Sequence, residues 1–158
     1  MALDKDAIVA ILAGVVARAG NRTEALKTVA SEVRRAGGFR WVGLYDVDRA
    51  LGVVVNLVWD GPAPPENPVF AIGAGLTGVA IAEQRTVNVG DVAAEPRYLI
   101  ALDSTRSEMI VPILGDLIPG NCCVAGTLDV ESSEFDAFPA EVQAALEACA
   151  ETIRPLWR

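Results

Sequence analysis

The side chains best suited to chemistry are three acids, Glu108, Asp129 and Glu131, and two aromatics, Trp41 and Tyr45. Asp129 and Glu131 are two residues apart in a strand-like run, so they share one face, while Cys122, Val124, Gly126, Leu128 and Val130 form an apolar opposite face. If helices cover the apolar face, the carboxylates point to the other side of the sheet. Glu108 opens the preceding strand-like run, and Trp41 and Tyr45 share a face of another. Converging carboxylates under aromatic walls suit an ammonium or other cation, by charge pairing and cation-π attraction. Such acids can also share a proton and work as acid and base. The same pattern fits a water-facing sheet edge. Arg106, just before Glu108, is a candidate partner for a ligand carboxylate.

Equally informative is what is missing. The chain has no histidine, so Ser-His-Asp triads, Cys-His dyads and His-ligated zinc sites are excluded within it. Its three cysteines are too few for a four-cysteine zinc site. Cys122 and Cys123 are adjacent, point to opposite faces of a strand, and would form a strained disulfide. Cys123 lies on the face of Asp129, but six residues away, roughly 20 Å at about 3.3 Å per residue. Cys149 falls in an apolar helical stripe. All three read as small hydrophobes. No metal or resident cofactor is expected.

With 158 residues, 52% of them hydrophobic, the chain is expected to be one packed domain over residues 1–158. A net charge of -8 argues against nucleic acid and anionic membrane as partners. The longest apolar run, Ala7 to Ala17, is 11 residues, too short for a bilayer, which needs about 20. Asp4 and Asp6 precede it where a signal peptide would be basic, and Ala17-Arg18-Ala19 is a poor cleavage site. A buried helix and a cytoplasmic location with reduced thiols are the expectation.

The elements that must position the acids follow from pattern. A helix buried on most sides spans Asp4 to about Ala19. Asn21, with Glu24 three residues on, opens a second in capping-box fashion; Leu26, Val29 and Val33 make its apolar face and Gly37-Gly38 ends it. Phe39, Trp41, Gly43 and Tyr45 fall on one face of a strand, with Arg40, Val42, Leu44 and Asp46 on the other. Leu51 to Trp59 completes a hairpin, and Asp60 to Pro68, with four prolines, is a loop.

A short strand at Val69 to Ile72 leads into Gly73-x-Gly75-x-x-Gly78 and a helix near Val79 to Gln84. The glycine run matches a dinucleotide fingerprint but lacks the rest of a βαβ unit, so a strand-to-helix turn is the better reading. Thr86 to Val89 is a strand, and Gly90 to Ser107 an irregular crossing. Glu108 to Ile118 and Cys122 to Val130 form a hairpin turning at Ile118-Pro119-Gly120-Asn121. Phe138, Val142, Leu146, Cys149, Ile153 and Leu156 mark a final helix. The result is an α+β fold: an antiparallel sheet with the terminal helices on one face and a ligand pocket on the other.

In this order the chain resembles a GAF domain. The resemblance rests on Trp41-Val42-Gly43-Leu44-Tyr45, the glycine run, and Asn88-Val89-Gly90-Asp91-Val92 with Pro96-Arg97-Tyr98. Ser107-Glu108-Met109-Ile110-Val111-Pro112-Ile113 and Gly126-Thr127-Leu128-Asp129-Val130-Glu131-Ser132 complete it. Within that superfamily it is similar to free methionine-(R)-sulfoxide reductases, which use cysteine thiols. Thr77 stands in Gly75-Leu76-Thr77-Gly78, and Leu102 in Ile100-Ala101-Leu102-Asp103, where the resemblance implies reactive cysteines; a third would fall near Asn67. The implied ligand site is Trp41, Tyr45, Thr77, Leu102, Glu108, Asp129 and Glu131, with no catalytic residue named.

The expectation is therefore a sensory or regulatory module for an amino-acid- or amine-like molecule. One rival is an enzyme of altered chemistry, using the carboxylates and Tyr45 or a relocated Cys122 or Cys123. The other is an interaction subunit with a vestigial pocket. Leu156 and Trp157 prolong the apolar stripe to the last turn, which predicts a homodimer through the helical layer.

Overall fold

The computed structural model describes residues 3–115 and 123–157. The turn expected at 118–121, and Cys122, lie outside these residues. Helices α1 (Lys5–Ala17) and α2 (Arg22–Gly37) come first, then strands β1 (Trp41–Asp48), β2 (Val53–Asp60) and β3 (Val69–Ala71). Helix α3 (Gly75–Glu83), strands β4 (Val87–Val89), β5 (Ser107–Leu114) and β6 (Val124–Ser132), and helix α4 (Ala140–Ile153) complete the order. All strands join one antiparallel sheet in the order β3-β2-β1-β6-β5-β4.

The helix boundaries have local causes. Asp4 accepts from the Ala7 N–H and caps α1, and Asn21 accepts from the Glu24 N–H and caps α2. Gly38, at φ +65°, ends α2 in the left-handed conformation that glycine tolerates best. α3 starts at Gly75, four residues before the expected Val79. Leu76 and Ala80 pack on Val87 and Ile110, and that burial draws the glycines into the helix.

The main core lies between the sheet and α1, α2 and α4. Val42, Leu44, Leu128 and Val130 meet Leu26, Val29 and Val33 from α2 and Leu146, Cys149 and Ile153 from α4. Two expectations need correction. α1 is not buried on most sides: Ile8 and Leu12 are covered, but Ile11 is 41% exposed. Its neighbours are chiefly α2 and α4, so only its inward face is enclosed. Phe39 precedes β1 and packs with Phe138 in the helical core, at 5.7 Å between rings, rather than beside Trp41 and Tyr45. Strand alternation does not extend past the first strand residue.

The opposite face of the sheet is covered by α3, by the Pro-rich loop after β2 and by the crossing between β4 and β5. This second layer holds Trp41, Tyr45, Val54 and Leu102 in one cluster and Leu76, Ala80, Val87 and Ile110 in another.

Candidate functional site

The registers of β1, β6 and β5 place the sequence candidates in adjoining rows. Trp41 lies opposite Glu131, which lies opposite Glu108. The next row is Gly43, Asp129 and Ile110, and the third is Tyr45, Thr127 and Pro112. All stand on the face away from α1, α2 and α4. Gly43 has no side chain for a spatial reason: a Cβ there would come within 2.2 Å of the Trp41 ring. Trp41 and Tyr45 thus lean over the sheet with ring centroids 6.5 Å apart. The Trp41 indole donates to the Ala63 carbonyl at 3.0 Å, and Phe70 meets Tyr45 edge-on at 5.9 Å.

The three carboxyls are almost wholly removed from water: Glu131 is 0% exposed, and Glu108 and Asp129 are 4% exposed. Thr105 donates its hydroxyl to Glu131 Oε2, and Thr77 donates to Asp129 Oδ2 at 3.5 Å. Asp129 Oδ1 and Glu131 Oε1 are buried with no hydrogen-bond partner. Burial pushes Asp129 up to about 7. It raises Glu131 too, and lifts Glu108 well above the usual carboxyl range, with the charges of Glu131 and Asp129 adding to the effect. The same desolvation, followed by repulsion from the three acids, raises the Tyr45 phenol. Near neutral pH the cluster therefore holds protons that a bound cation would displace.

A cavity of about 20 Å³ opens onto Tyr45, Thr77, Glu108 and Asp129, with Leu99, Ile100 and Ala101 closing it from the crossing. That is room for about one water. The cover is pinned by the Asn67 amide donating to the Ile100 carbonyl at 2.8 Å and the Glu66 N–H donating to the Ala101 carbonyl at 2.9 Å. Trp41, Leu102 and Glu131 back these walls: Leu102 packs with Trp41 and Tyr45, and Glu131 stands beside Glu108.

Of the seven expected site residues, four line the cavity and three stand behind them. Arg106 does not join them: it is exposed and its guanidinium lies 4.9 Å over the Phe135 ring, on a separate surface concavity. Cys123 faces another surface concavity with Arg22 and Trp157, and Cys149 is in the helical core, its thiol pushed up to about 12 by burial.

Thr105, Phe70 and the Leu99–Ala101 cover escaped sequence reading. They lie on an edge strand and an irregular crossing, where no periodicity says which side chains turn inward.

The glycine run shapes this cavity. Gly75 has φ +65°, and a Cβ on it would press within 2.9 Å of Leu99 Cβ. A Cβ on Gly78 would meet the Gly73 backbone at 2.5 Å. The family model for the GAF domain matches residues 21–154. The chain belongs to the GAF domain family. This GAF domain is 27% identical over 129 residues to GAF domain-containing protein A of Dictyostelium discoideum, covering 79% of this chain and 74% of that one. Among solved structures it is similar to the free methionine-R-sulfoxide reductase of Neisseria meningitidis in complex with its substrate. That match has a TM-score of 0.84 and 29% identity, over 99% of this chain and 92% of that one. The GAF domain of an Acinetobacter phosphoenolpyruvate-protein phosphotransferase shares the fold at TM-score 0.82 and 14% identity, covering 99% and 94%.

Proposed function

We propose that this GAF domain binds a small amino-acid- or amine-like molecule at the Glu108–Asp129–Glu131 cluster and serves a sensory or regulatory role. The observation that carries the reading is the orphaned acceptor Asp129 Oδ1, buried on the wall of a cavity that the Tyr45 ring also lines. A protonated amine satisfies that oxygen and neutralises the charge that burial disfavours. Tyr45 supplies an apolar and cation-π wall, with Trp41 and Leu102 packed in the same cluster behind it, and Thr77 lines the cavity beside Asp129. The present cavity is too small for such a molecule, so binding requires the Leu99–Ala101 cover to shift. The ligand needs no metal or cofactor in this reading, and nucleic acid and membrane are not its partners. The module acts in the cytoplasm, as a homodimer formed through the helical layer.

The test is a thermal-shift screen of free amino acids, amines and nucleotides on wild type and Asp129→Asn. Amino acids or amines should stabilise the wild type, and the variant should fold but bind roughly ten- to hundred-fold more weakly, the value of a lost charge-assisted hydrogen bond. Stabilisation by nucleotides alone, or an unchanged response from the variant, removes the reading.

A second reading is an enzyme related to the free methionine-R-sulfoxide reductases with altered chemistry. Its support is the likeness to the Neisseria structure and the unequal protonation of adjoining carboxyls, which suits general acid–base work. Against the family's own thiol chemistry stand Thr77 and Leu102, which form no sulfenic acid.

A further inference from the structure

We infer that Pro112 and Arg154 together close the free edge of β5 to strand addition, so that no second chain extends the sheet there. β5 runs for 8 residues, but β4 pairs only with Glu108, Met109 and Ile110. From Val111 to Leu114 the strand has β6 on one side and, among the described residues, no strand on the other. Beside this stretch lies an open groove of about 260 Å³, bounded by α4 and by the chain that follows α3, with Val111, Pro112 and Leu114 in its wall. A row of unpaired N–H and C=O groups over such a groove is a template for another extended chain.

Backbone direction decides which groups that row contains. The Gly115 N–H donates to the Cys123 carbonyl, on the β6 side, at 2.9 Å, whereas the Leu114 carbonyl accepts from Arg154 Nε at 3.0 Å. Leu114 therefore turns its polar backbone away from β6, and alternation puts Pro112 on the same outward side. At the first of these two positions proline has no N–H, so an incoming strand finds no donor. At the second the acceptor is already taken. Arg154, the residue after α4, covers the Leu114 carbonyl, reaches the Gly115 carbonyl at 3.4 Å and is steadied by Glu151 at 3.0 Å.

The placement is specific to the edge. One residue earlier or later, at Val111 or Ile113, a proline would remove a donor from the ladder to β6 instead. The Arg154 side chain is 24% exposed, so its charge still meets water. A strand docking over it would have to bury that cation or expel it, and both are costly. The far edge of the sheet is protected by other means: β3 has 3 residues, follows Pro68, and gives its Ala71 carbonyl to the Ala74 N–H. Contact between copies is thereby directed away from the β5 edge.

The experiment uses the full chain with two changes together. Pro112→Val restores an outward N–H on a side chain that suits a strand, and Arg154→Met removes the guanidinium while keeping an apolar stem. Light scattering over a concentration series compares this double variant with the wild type below the melting transition, and hydrogen exchange follows the Leu114 amide. Its mass should exceed that of the wild type and grow with concentration, with Leu114 exchange slowed at least about tenfold in the associated form. Pro112→Val combined with Arg154→Lys keeps a cation at the edge and should stay at the wild-type mass. Arg154→Met alone, which leaves the strand's own sequence intact, should associate in the same way at higher concentration.

A double variant that melts cooperatively and keeps the wild-type mass at every concentration overturns the inference. Association that leaves Leu114 exchange unchanged overturns it too, because the chains then meet elsewhere. Where the double variant fails to fold, wild-type mass for Arg154→Met at every concentration has the same force. Equal association of the Lys and Met variants removes Arg154 from the account.

Discussion

Glu108 and Glu131 face each other across the β5–β6 register, both buried, with the carboxyl of Asp129 two residues along β6. Like charges at a directly opposed strand pair destabilise a sheet unless they are neutralised. Here the neutraliser without ligand is the proton, and in the proposed complex it is an ammonium group.

That relationship sets a pH dependence for stability. All three acids titrate higher in the folded chain than in an unfolded one, Asp129 near 7 against 3.8. Between those values the folded state holds more protons, so stability falls as pH rises from about 4 through about 7. Melting temperature should be higher at pH 5 than at pH 8. Glu108→Gln should flatten the slope and raise the melting temperature at pH 8. A wild-type curve that rises over this range would show the acids to be charged and satisfied.

Ligand affinity should move the other way. A cation that displaces shared protons binds better where they are already gone, so affinity for an amine or amino acid should increase from pH 5.5 to pH 8. Calorimetry in buffers of different ionisation enthalpy should show net proton release on binding. Proton uptake on binding would contradict it.

Gly43→Ala probes the aromatic wall. The new Cβ would lie 2.2 Å from the Trp41 ring and 3.1 Å from Tyr45, so both rings must shift. Overpacking of this kind costs about 1–3 kcal/mol, and urea unfolding should report it together with weakened ligand binding. Wild-type stability in this variant would mean the rings move freely.

No thiol-dependent reduction of free methionine-(R)-sulfoxide is expected. Cys149 sits in the helical core with its thiol held protonated, and Cys123 lines a surface concavity rather than the cavity. A thioredoxin-coupled assay should give no turnover. Turnover abolished by Cys122→Ser or Cys123→Ser would restore the reductase reading.

The dimer expectation now depends on a different surface. Leu156 is buried and Trp157 lies over Gly126 beneath the Arg22 guanidinium, 5.3 Å from its ring, so the end of the stripe is used within the chain. Among the described residues of the helical layer, the exposed large hydrophobic side chain is Ile11 of α1, 41% exposed. Light scattering should give twice the monomer mass, and Ile11→Glu should reduce it. A monomer of 16.6 kDa at high concentration in the wild type would refute the dimer.

Alternation along β6 is a local property. It puts Asp129 and Glu131 on one face and Leu128 and Val130 on the other whichever strand pairs with β6, and the latter pair is buried in the helical core. The 3- and 4-residue steps from Phe138 to Leu156 likewise marked residues that are all buried. What lies beside those carboxyls is not local. The antiparallel pairing of β1 with β6 joins Trp41 to Glu131 across 90 residues of chain, and no nearby spacing encodes it. Nor did pattern tell that Phe39 turns to the helices, that Ile11 stays exposed, or that Leu99–Ala101 closes the cavity. Periodicity reports which face a side chain takes on its own element. Which elements then meet, and how much water they exclude from an acid, is decided only by long-range packing.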